Sequence, residues 1–171
     1  MGREYDLMNR MIDYYAGDPA RIQHFVKVYT FARTIGTGEG LDENTMEILG
    51  AAALVHDIGI RIAEEKYGSS AGHLQEQEGP AEADRMLRQA GYAEDVIARV
   101  CYLVGHHHTY TNIDGSDYQI LVEADFLVNL YEDETSRKGI GNAYKRIFVT
   151  ETGKRICRTM FVMEDTEEQV L

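Results

Sequence analysis

The chain has 171 residues, of which 17 are basic and 29 acidic, so its formal net charge is −12. A surface of this charge repels long polyanions, which argues against binding along a nucleic-acid backbone. The apolar runs AAALV and FLV are too short to span a membrane, and the first ten residues lack the apolar core of a signal peptide. Cys101 and Cys157 lack a short metal-binding spacing, so we expect reduced, packed thiols in a cytoplasmic protein.

The first third of the chain is patterned as three helices. Apolar residues recur at helical spacing from residue 3 to Gly17, which predicts the first helix. Asp18 and Pro19 form a typical helix start and predict a second helix that ends in a glycine-rich stretch after residue 35. Asp42 is placed to cap a third helix that breaks near Gly59.

The rest of the chain also favours helices over strands. Residues 66–80 are polar and glycine-rich and predict a loop, after which Pro80 opens a helix that closes at Gly91. Residues 133–152 are mixed in character and predict irregular structure. Further helices are expected over 94–108, 118–133 and 151–164. Since no long period-2 run is present, we predict an all-α fold, a single compact helical bundle forming one domain over residues 1–171.

Four polar residues interrupt apolar helix faces: His24, His56, Asp57 and Asp125. An ionised carboxylate in a segment as apolar as ILVEADFLVNL costs several kcal/mol unless it is paired or metal-bound. Two imidazoles and two carboxylates suit Mn²⁺, Fe²⁺, Co²⁺, Ni²⁺ or Zn²⁺, with water in the open positions, and such an open site points to catalysis. Two alternatives stay open: a core histidine at 24 bonded to a carbonyl, and a salt bridge from Asp125 to a cation.

The order His24, His56-Asp57, Asp125, with HDIG intact at 56–59, resembles the HD-domain superfamily of metal-dependent phosphohydrolases. The resemblance covers roughly residues 18–131, and residues 132–171 are expected to extend the same domain. It implies an all-helical bundle in which these four residues are the metal ligands.

Some branches of this superfamily hold two metals and use extra histidines between the HD pair and the last aspartate. His106 and His107 match the later of these positions and are favoured over His108, although a solvent-exposed histidine cluster is the alternative. The earlier position is occupied by His73, Glu76 or Glu78, and the sequence does not separate them. The sequence therefore leaves open whether the site binds one metal ion or two.

The expected function is hydrolysis of small phosphate esters, nucleotides among them, by metal-activated water. Asp57 is the expected general base, and Arg21, Lys27 and Arg61 are candidates for binding the substrate's phosphate, although each is also a candidate surface cation. No long nucleic acid and no membrane are expected as partners.

Two other functions are open in the same superfamily: a di-iron oxygenase, and a non-catalytic module that senses nucleotides or other ligands. The sequence names no substrate. It also leaves the oligomeric state open, since Tyr5 and Met8 of the first helix suit either a homo-oligomer contact or the core.

Overall fold

The computed structural model describes residues 2–163, and within that range the chain forms nine α-helices. They are α1 (Arg3–Tyr14), α2 (Pro19–Gly38), α3 (Glu43–Val55), α4 (Gly59–Tyr67), α5 (Gly72–Gln89), α6 (Glu94–Val104), α7 (Ser116–Glu132), α8 (Arg137–Ile147) and α9 (Glu151–Phe161). No strand occurs in this range, so the prediction of an all-α fold is confirmed.

The core is built around α3, whose last eight residues, Ile48 to Val55, are all buried. A helix that is apolar on every side must be covered on every side. The surrounding helices α1, α2, α6 and α7 supply that cover, and α5 packs against both α4 and α6. The result is a compact helical bundle in which the C-terminal end of α3 is enclosed by its neighbours.

The two predicted helix starts are confirmed by capping hydrogen bonds. The side chain of Asp18 accepts a hydrogen bond from the backbone N–H of Arg21 at 3.1 Å, and Pro19 is the first residue of α2. The side chain of Asp42 accepts one from the backbone N–H of Thr45 at 2.9 Å. Each carboxylate satisfies an N–H group that has no partner within its own helix.

The loop predicted over residues 66–80 is wrong, because α5 already begins at Gly72 and Pro80 lies inside it. The first half of α5 packs on α4 through Gly79, and a glycine adds no apolar residue from which a helix could be predicted. A Cβ on Gly59 of α4 would lie 2.6 Å from the carbonyl oxygen of Gln75 and 2.7 Å from the backbone nitrogen of Gly79. Close backbone packing therefore holds this polar segment helical across the proline.

The irregular structure predicted over residues 133–152 is also wrong, since α8 occupies most of that segment. Ser136 caps the helix by accepting a hydrogen bond from the backbone N–H of Gly139 at 3.2 Å. Ile140 and Tyr144 are buried one turn apart and anchor the helix despite its two glycines. The last helix, expected to reach residue 164, ends at Phe161, and residue 164 lies outside the described range.

Glu123 attaches the C-terminal helices to the bundle. Its fully buried carboxylate accepts hydrogen bonds from the backbone N–H groups of Val149 and Thr150, at 2.7 and 2.9 Å, and from the Thr150 hydroxyl. A Cβ on Gly153 would overlap the Glu123 carboxylate. The start of α9 is therefore held directly on α7, while the assignment of residues 1–171 to one domain stays a prediction.

Cys101 and Cys157 are free thiols, and burial raises the pKa of Cys157 to about 12. Within residues 2–163, no helix combines the length and apolarity that crossing a membrane requires. On α1, Tyr5 is exposed whereas Met8 packs against the core, and a homo-oligomer stays a prediction.

The contact between α4 and α5 leads to a stability prediction. We expect Gly59→Ala to lower the free energy of unfolding by about 2 kcal/mol, because the new methyl group meets backbone atoms that cannot rotate away. Gly141→Ala is the matched control: a Cβ at residue 141, in the middle of α8, meets nothing within 4 Å. It should raise stability by roughly 0.5 kcal/mol through helix propensity. Urea unfolding measures both, and equal effects of the two substitutions would contradict the packing described here.

Candidate metal centre

The structure brings His24, His56, Asp57 and Asp125 together at one end of the bundle. Nε2 of His24 lies 3.3 Å from Nε2 of His56, 3.3 Å from Oδ2 of Asp57 and 3.2 Å from Oδ1 of Asp125. Nε2 of His56 lies 3.4 Å from Oδ2 of Asp57 and 3.5 Å from Oδ1 of Asp125. Residues from α2, from the end of α3 and from α7 thus direct their ligand atoms at one small volume.

The histidine rings are oriented through their other nitrogen. Nδ1 of His56 lies 2.8 Å from the carbonyl oxygen of Ala53, and Nδ1 of His24 lies 3.1 Å from Oε2 of Glu132. Because both partners are acceptors, Nδ1 carries a hydrogen and donates it, so Nε2 is the nitrogen that faces the cluster and can offer a lone pair to a metal ion. This is the arrangement that supports an imidazole acting as a metal ligand.

Burial makes the charges of this cluster strongly interdependent. Burial alone would lower the pKa of His56, but Asp57 and Asp125 hold it well above its usual value. Burial likewise opposes ionisation of the two aspartates, yet the neighbouring imidazoles hold the pKa of each carboxyl below its usual range. The carboxylates are therefore ionised, and positive charge between them is favoured.

A second group of potential ligands shares Asp57 with the first. It comprises Asp57, His107 and His108, whose ligand atoms lie within 4.8 Å of one another. Nδ1 of His107 donates to the carbonyl oxygen of Val104 at 2.8 Å, and its Nε2 lies 3.4 Å from Oδ1 of Asp57. That Nε2 is buried and has no hydrogen-bond partner. Burial and the nearby His107 lower the pKa of His108 to about 4, so its ring is neutral.

The three candidates for an early second-metal ligand lie outside both groups. His73 is exposed on the first turn of α5. The Glu76 carboxylate accepts hydrogen bonds from the backbone N–H of His108 and from the hydroxyl of Thr109, both at 2.9 Å. Glu78 pairs with Nζ of Lys66 at 2.7 Å. Glu76 thus positions the turn that carries the second group.

Of the three consecutive histidines, His107 and His108 join the cluster and His106 does not. The ring of His106 stacks on Tyr102 at a centroid distance of 4.2 Å, and its Nδ1 donates to the Tyr102 carbonyl. The preference for His106 over His108 is therefore not what the structure shows. Beyond the end of α6 the chain makes turns, so helical spacing no longer indicates which side chain points inward.

A pocket of about 450 Å³ opens onto these residues. His24, Asp57 and Asp125 line its floor, and His108 lines its wall. The remaining lining residues are Ala20, Arg21, Ile60, Ser70, Gln75, Asn129, Glu132 and Asp133. This volume accommodates a small organic molecule and lies within the usual range of ligand pockets.

The three cations proposed to bind phosphate differ in their position relative to this pocket. Arg21 lines the pocket, but its guanidinium is paired with Glu64 at 2.7 and 3.2 Å. Nζ of Lys27 pairs with Oε1 of Glu132 at 2.6 Å. Arg61 is absent from the lining and donates to the carbonyl oxygen of Tyr14 at 3.0 Å. Of the three, Arg21 alone faces the pocket directly.

Sequence reasoning missed Glu132 and Asn129, which support the cluster from α7. Nδ2 of Asn129 donates to Oδ1 of Asp125 at 2.9 Å, and Glu132 holds His24. Their spacing could have revealed them: Asn129 follows Asp125 by four positions and Glu132 follows it by seven, which places all three on one helix face.

Comparison with known proteins agrees with this geometry. The family model described as "HD domain" matches residues 21–140, which is most of the chain. The chain belongs to the HD domain family. No curated protein matches it. A crystal structure of a predicted HD superfamily hydrolase from an uncultured Thermotogales bacterium is similar, with a TM-score of 0.65 and 26% sequence identity. The similarity covers 96% of this chain and 89% of that one.

HD domains bind divalent metal ions, and the residues of this HD domain fit such an ion. Two N or O ligands bound at the usual distance to one ion are separated by about 3.0 to 3.4 Å in octahedral or tetrahedral geometry. The separations around His24 and His56 are 3.2 to 3.5 Å. The buried Nε2 of His107, which has no hydrogen-bond partner, is a second indication, because a metal ion would satisfy it.

The contact between His24 and Glu132 predicts an effect on metal affinity. We expect Glu132→Ala to weaken Mn²⁺ binding about tenfold, because His24 loses the acceptor that orients its ring. Asp133→Ala removes an equal charge from the same pocket and should change the affinity by less than about twofold. Isothermal titration calorimetry of the metal-stripped protein measures both. A similar loss in the two variants would mean that Glu132 acts only through its charge.

Proposed function

We propose that this HD domain is a metal-dependent hydrolase of small phosphate esters, with nucleotides among the candidate substrates. The observation that carries the proposal is the shared position of Asp57. One of its carboxylate oxygens faces His24 and His56, and the other faces His107, at the floor of an open pocket. The similarity to a protein titled a predicted HD superfamily hydrolase supports the hydrolytic assignment.

In this proposal His24, His56, Asp57 and Asp125 hold a divalent transition-metal ion, and Asp57, His107 and His108 are the candidates for holding a second. A bound ion of this kind supplies hydroxide at neutral pH and neutralises charge on phosphate oxygens. The donor set suits Mn²⁺, Fe²⁺, Co²⁺, Ni²⁺ and Zn²⁺ alike.

The protein's own groups then position the reactants. Asp57 is ionised at neutral pH, and we assign it to orient the attacking water and accept its proton. Arg21 lies at the pocket wall, where its guanidinium, already held by Glu64, is placed to contact the substrate's phosphate or organic group. Gln75 and Asn129 contribute amide groups to the same wall.

The test is release of inorganic phosphate from a panel of phosphate monoesters, with Mn²⁺, Co²⁺ or Ni²⁺ added to metal-stripped protein. We expect His56→Ala and Asp57→Ala to lower the rate at least about 1,000-fold, since each removes a ligand from the cluster. His106→Ala removes an imidazole outside the cluster and should retain activity. Loss of activity in all three variants would contradict the assignment.

Two histidine groups that share a carboxylate also suit a di-iron oxygenase, the second candidate. Metal analysis and spectroscopy of the protein purified in air distinguish the two functions. Two irons per chain with a mixed-valent electron paramagnetic resonance signal, and no phosphate release, would favour oxygenation. Nucleotide binding without turnover across all the metals would instead favour a sensing module.

A further inference from the structure

The charges of this chain are divided unequally between its two parts. Residues 135–163 contain seven of the 17 basic side chains and a single acidic residue, Glu151. Their net charge is therefore +6 in a chain whose net charge is −12. This segment consists of α8, α9 and their connection.

The cations of these two parts also differ in whether they form ion pairs. Every one of the ten cationic side chains before residue 135 forms an ion pair with a carboxylate. In α8 and α9, by contrast, Lys138, Lys145, Arg146 and Arg155 form no ion pair with any residue in the range 2–163. Among the described carboxylates, Lys154 reaches only that of the exposed Glu151, at 3.7 Å.

Four cations of α8 and α9, Arg137, Lys138, Lys145 and Lys154, line two depressions that share Lys145, and we call the two together the basic groove. One part, of about 350 Å³, is lined by Arg137, Lys138, Gly141, Asn142 and Lys145. The adjoining part, of about 390 Å³, is lined by Tyr144, Lys145, Phe148 and Lys154. Lys145 belongs to both parts, and among the described residues no carboxylate lines either one.

An exposed valine adjoins each end of the basic groove. Val149 follows Phe148 and is 63% exposed, and Val162 is 75% exposed. A guanidinium nitrogen of Arg137 donates to the carbonyl oxygen of Val162 at 3.0 Å, which places this valine beside the first part of the groove. Apolar side chains thus flank the cations of the groove.

We propose that the basic groove is a docking surface for a short acidic segment of another protein, one in which carboxylates alternate with apolar side chains. Carboxylates of the segment would pair with Lys138, Lys145 and Lys154, and its apolar side chains would cover Val149 and Val162. Complementary charge would speed association and select the partner more than it would raise affinity.

The size and borders of the groove favour a short peptide over an extended polyanion. Helix α8 has 11 residues and is therefore about 16 Å long. Carboxylates of residues 132–134 precede it, and Glu151 lies beyond it. At physiological salt, charges interact over about 8 Å. A nucleic-acid duplex or a membrane extends beyond the groove and would therefore also be repelled by these bordering carboxylates. A two-fold dimer through the groove would oppose cation to cation.

The experiment uses the full chain and a fluorescein-labelled 12-residue peptide of repeating Glu-Glu-Leu. Fluorescence anisotropy should give a Kd below about 100 µM in 50 mM NaCl, and the affinity should fall at least about fivefold in 300 mM NaCl. No binding at 50 mM NaCl would overturn the proposal. A 20-base-pair DNA duplex and vesicles containing phosphatidylserine serve as the competing polyanions.

A charge-matched pair of variants makes the test specific. Lys138→Gln with Lys145→Gln should weaken peptide binding about fivefold, because both side chains line the groove. Arg10→Gln with Arg85→Gln removes the same charge from paired positions on α1 and α5 and should leave binding within about twofold. Equal losses in the two double variants would show that net charge alone attracts the peptide and would overturn the proposal.

The remaining outcomes identify a different occupant. Tighter binding of the duplex or of the vesicles than of the peptide would overturn the proposal. Residues 164–171, outside the described range, include Glu164, Asp165, Glu167 and Glu168. If replacing these four by their amides raises peptide affinity more than about tenfold, the chain's own acidic end competes for the groove, and the proposal of a foreign partner fails.

Discussion

The candidate site depends on hydrogen bonds between histidine side chains and the carbonyl groups at two helix ends. The last carbonyls of an α-helix have no partner within the helix. His56 donates Nδ1–H to the carbonyl of Ala53 at the end of α3, and His107 does the same to Val104 at the end of α6. Each bond satisfies a helix terminus and also turns Nε2 toward Asp57. Ligand orientation is therefore part of how two core helices end.

The second constraint is the charge on Asp57 and Asp125. Asp125 is buried and Asp57 is partly buried beside imidazoles, which keep both carboxylates ionised despite the cost of removing them from water. A cation held between the two carboxylates offsets the cost of removing them from water. A site built for cation binding agrees with the family to which the chain belongs.

Prediction from the sequence succeeded where side chains break a strong pattern. Asp125 was identifiable because a carboxylate interrupts an apolar helix, and the structure places it beside His24. The first half of α5 was not identifiable, because it packs through Gly79 and so lacks apolar periodicity. The orientation of His108 was also beyond the sequence, since it follows the end of α6, where turns replace a regular spacing. The spacing of apolar and polar residues along the sequence thus located the helices, whereas backbone packing and turn geometry could be determined only from the structure.

The measurement that tests the central claim most directly is anomalous X-ray diffraction at the manganese absorption edge, from crystals of the full chain grown with Mn²⁺. The account predicts a strong anomalous peak bounded by Nε2 of His24, Nε2 of His56 and the carboxylates of Asp57 and Asp125. A weaker second peak beside His107 would mean that two ions bind. The absence of any peak among these four residues, with manganese located elsewhere or not at all, would contradict the account.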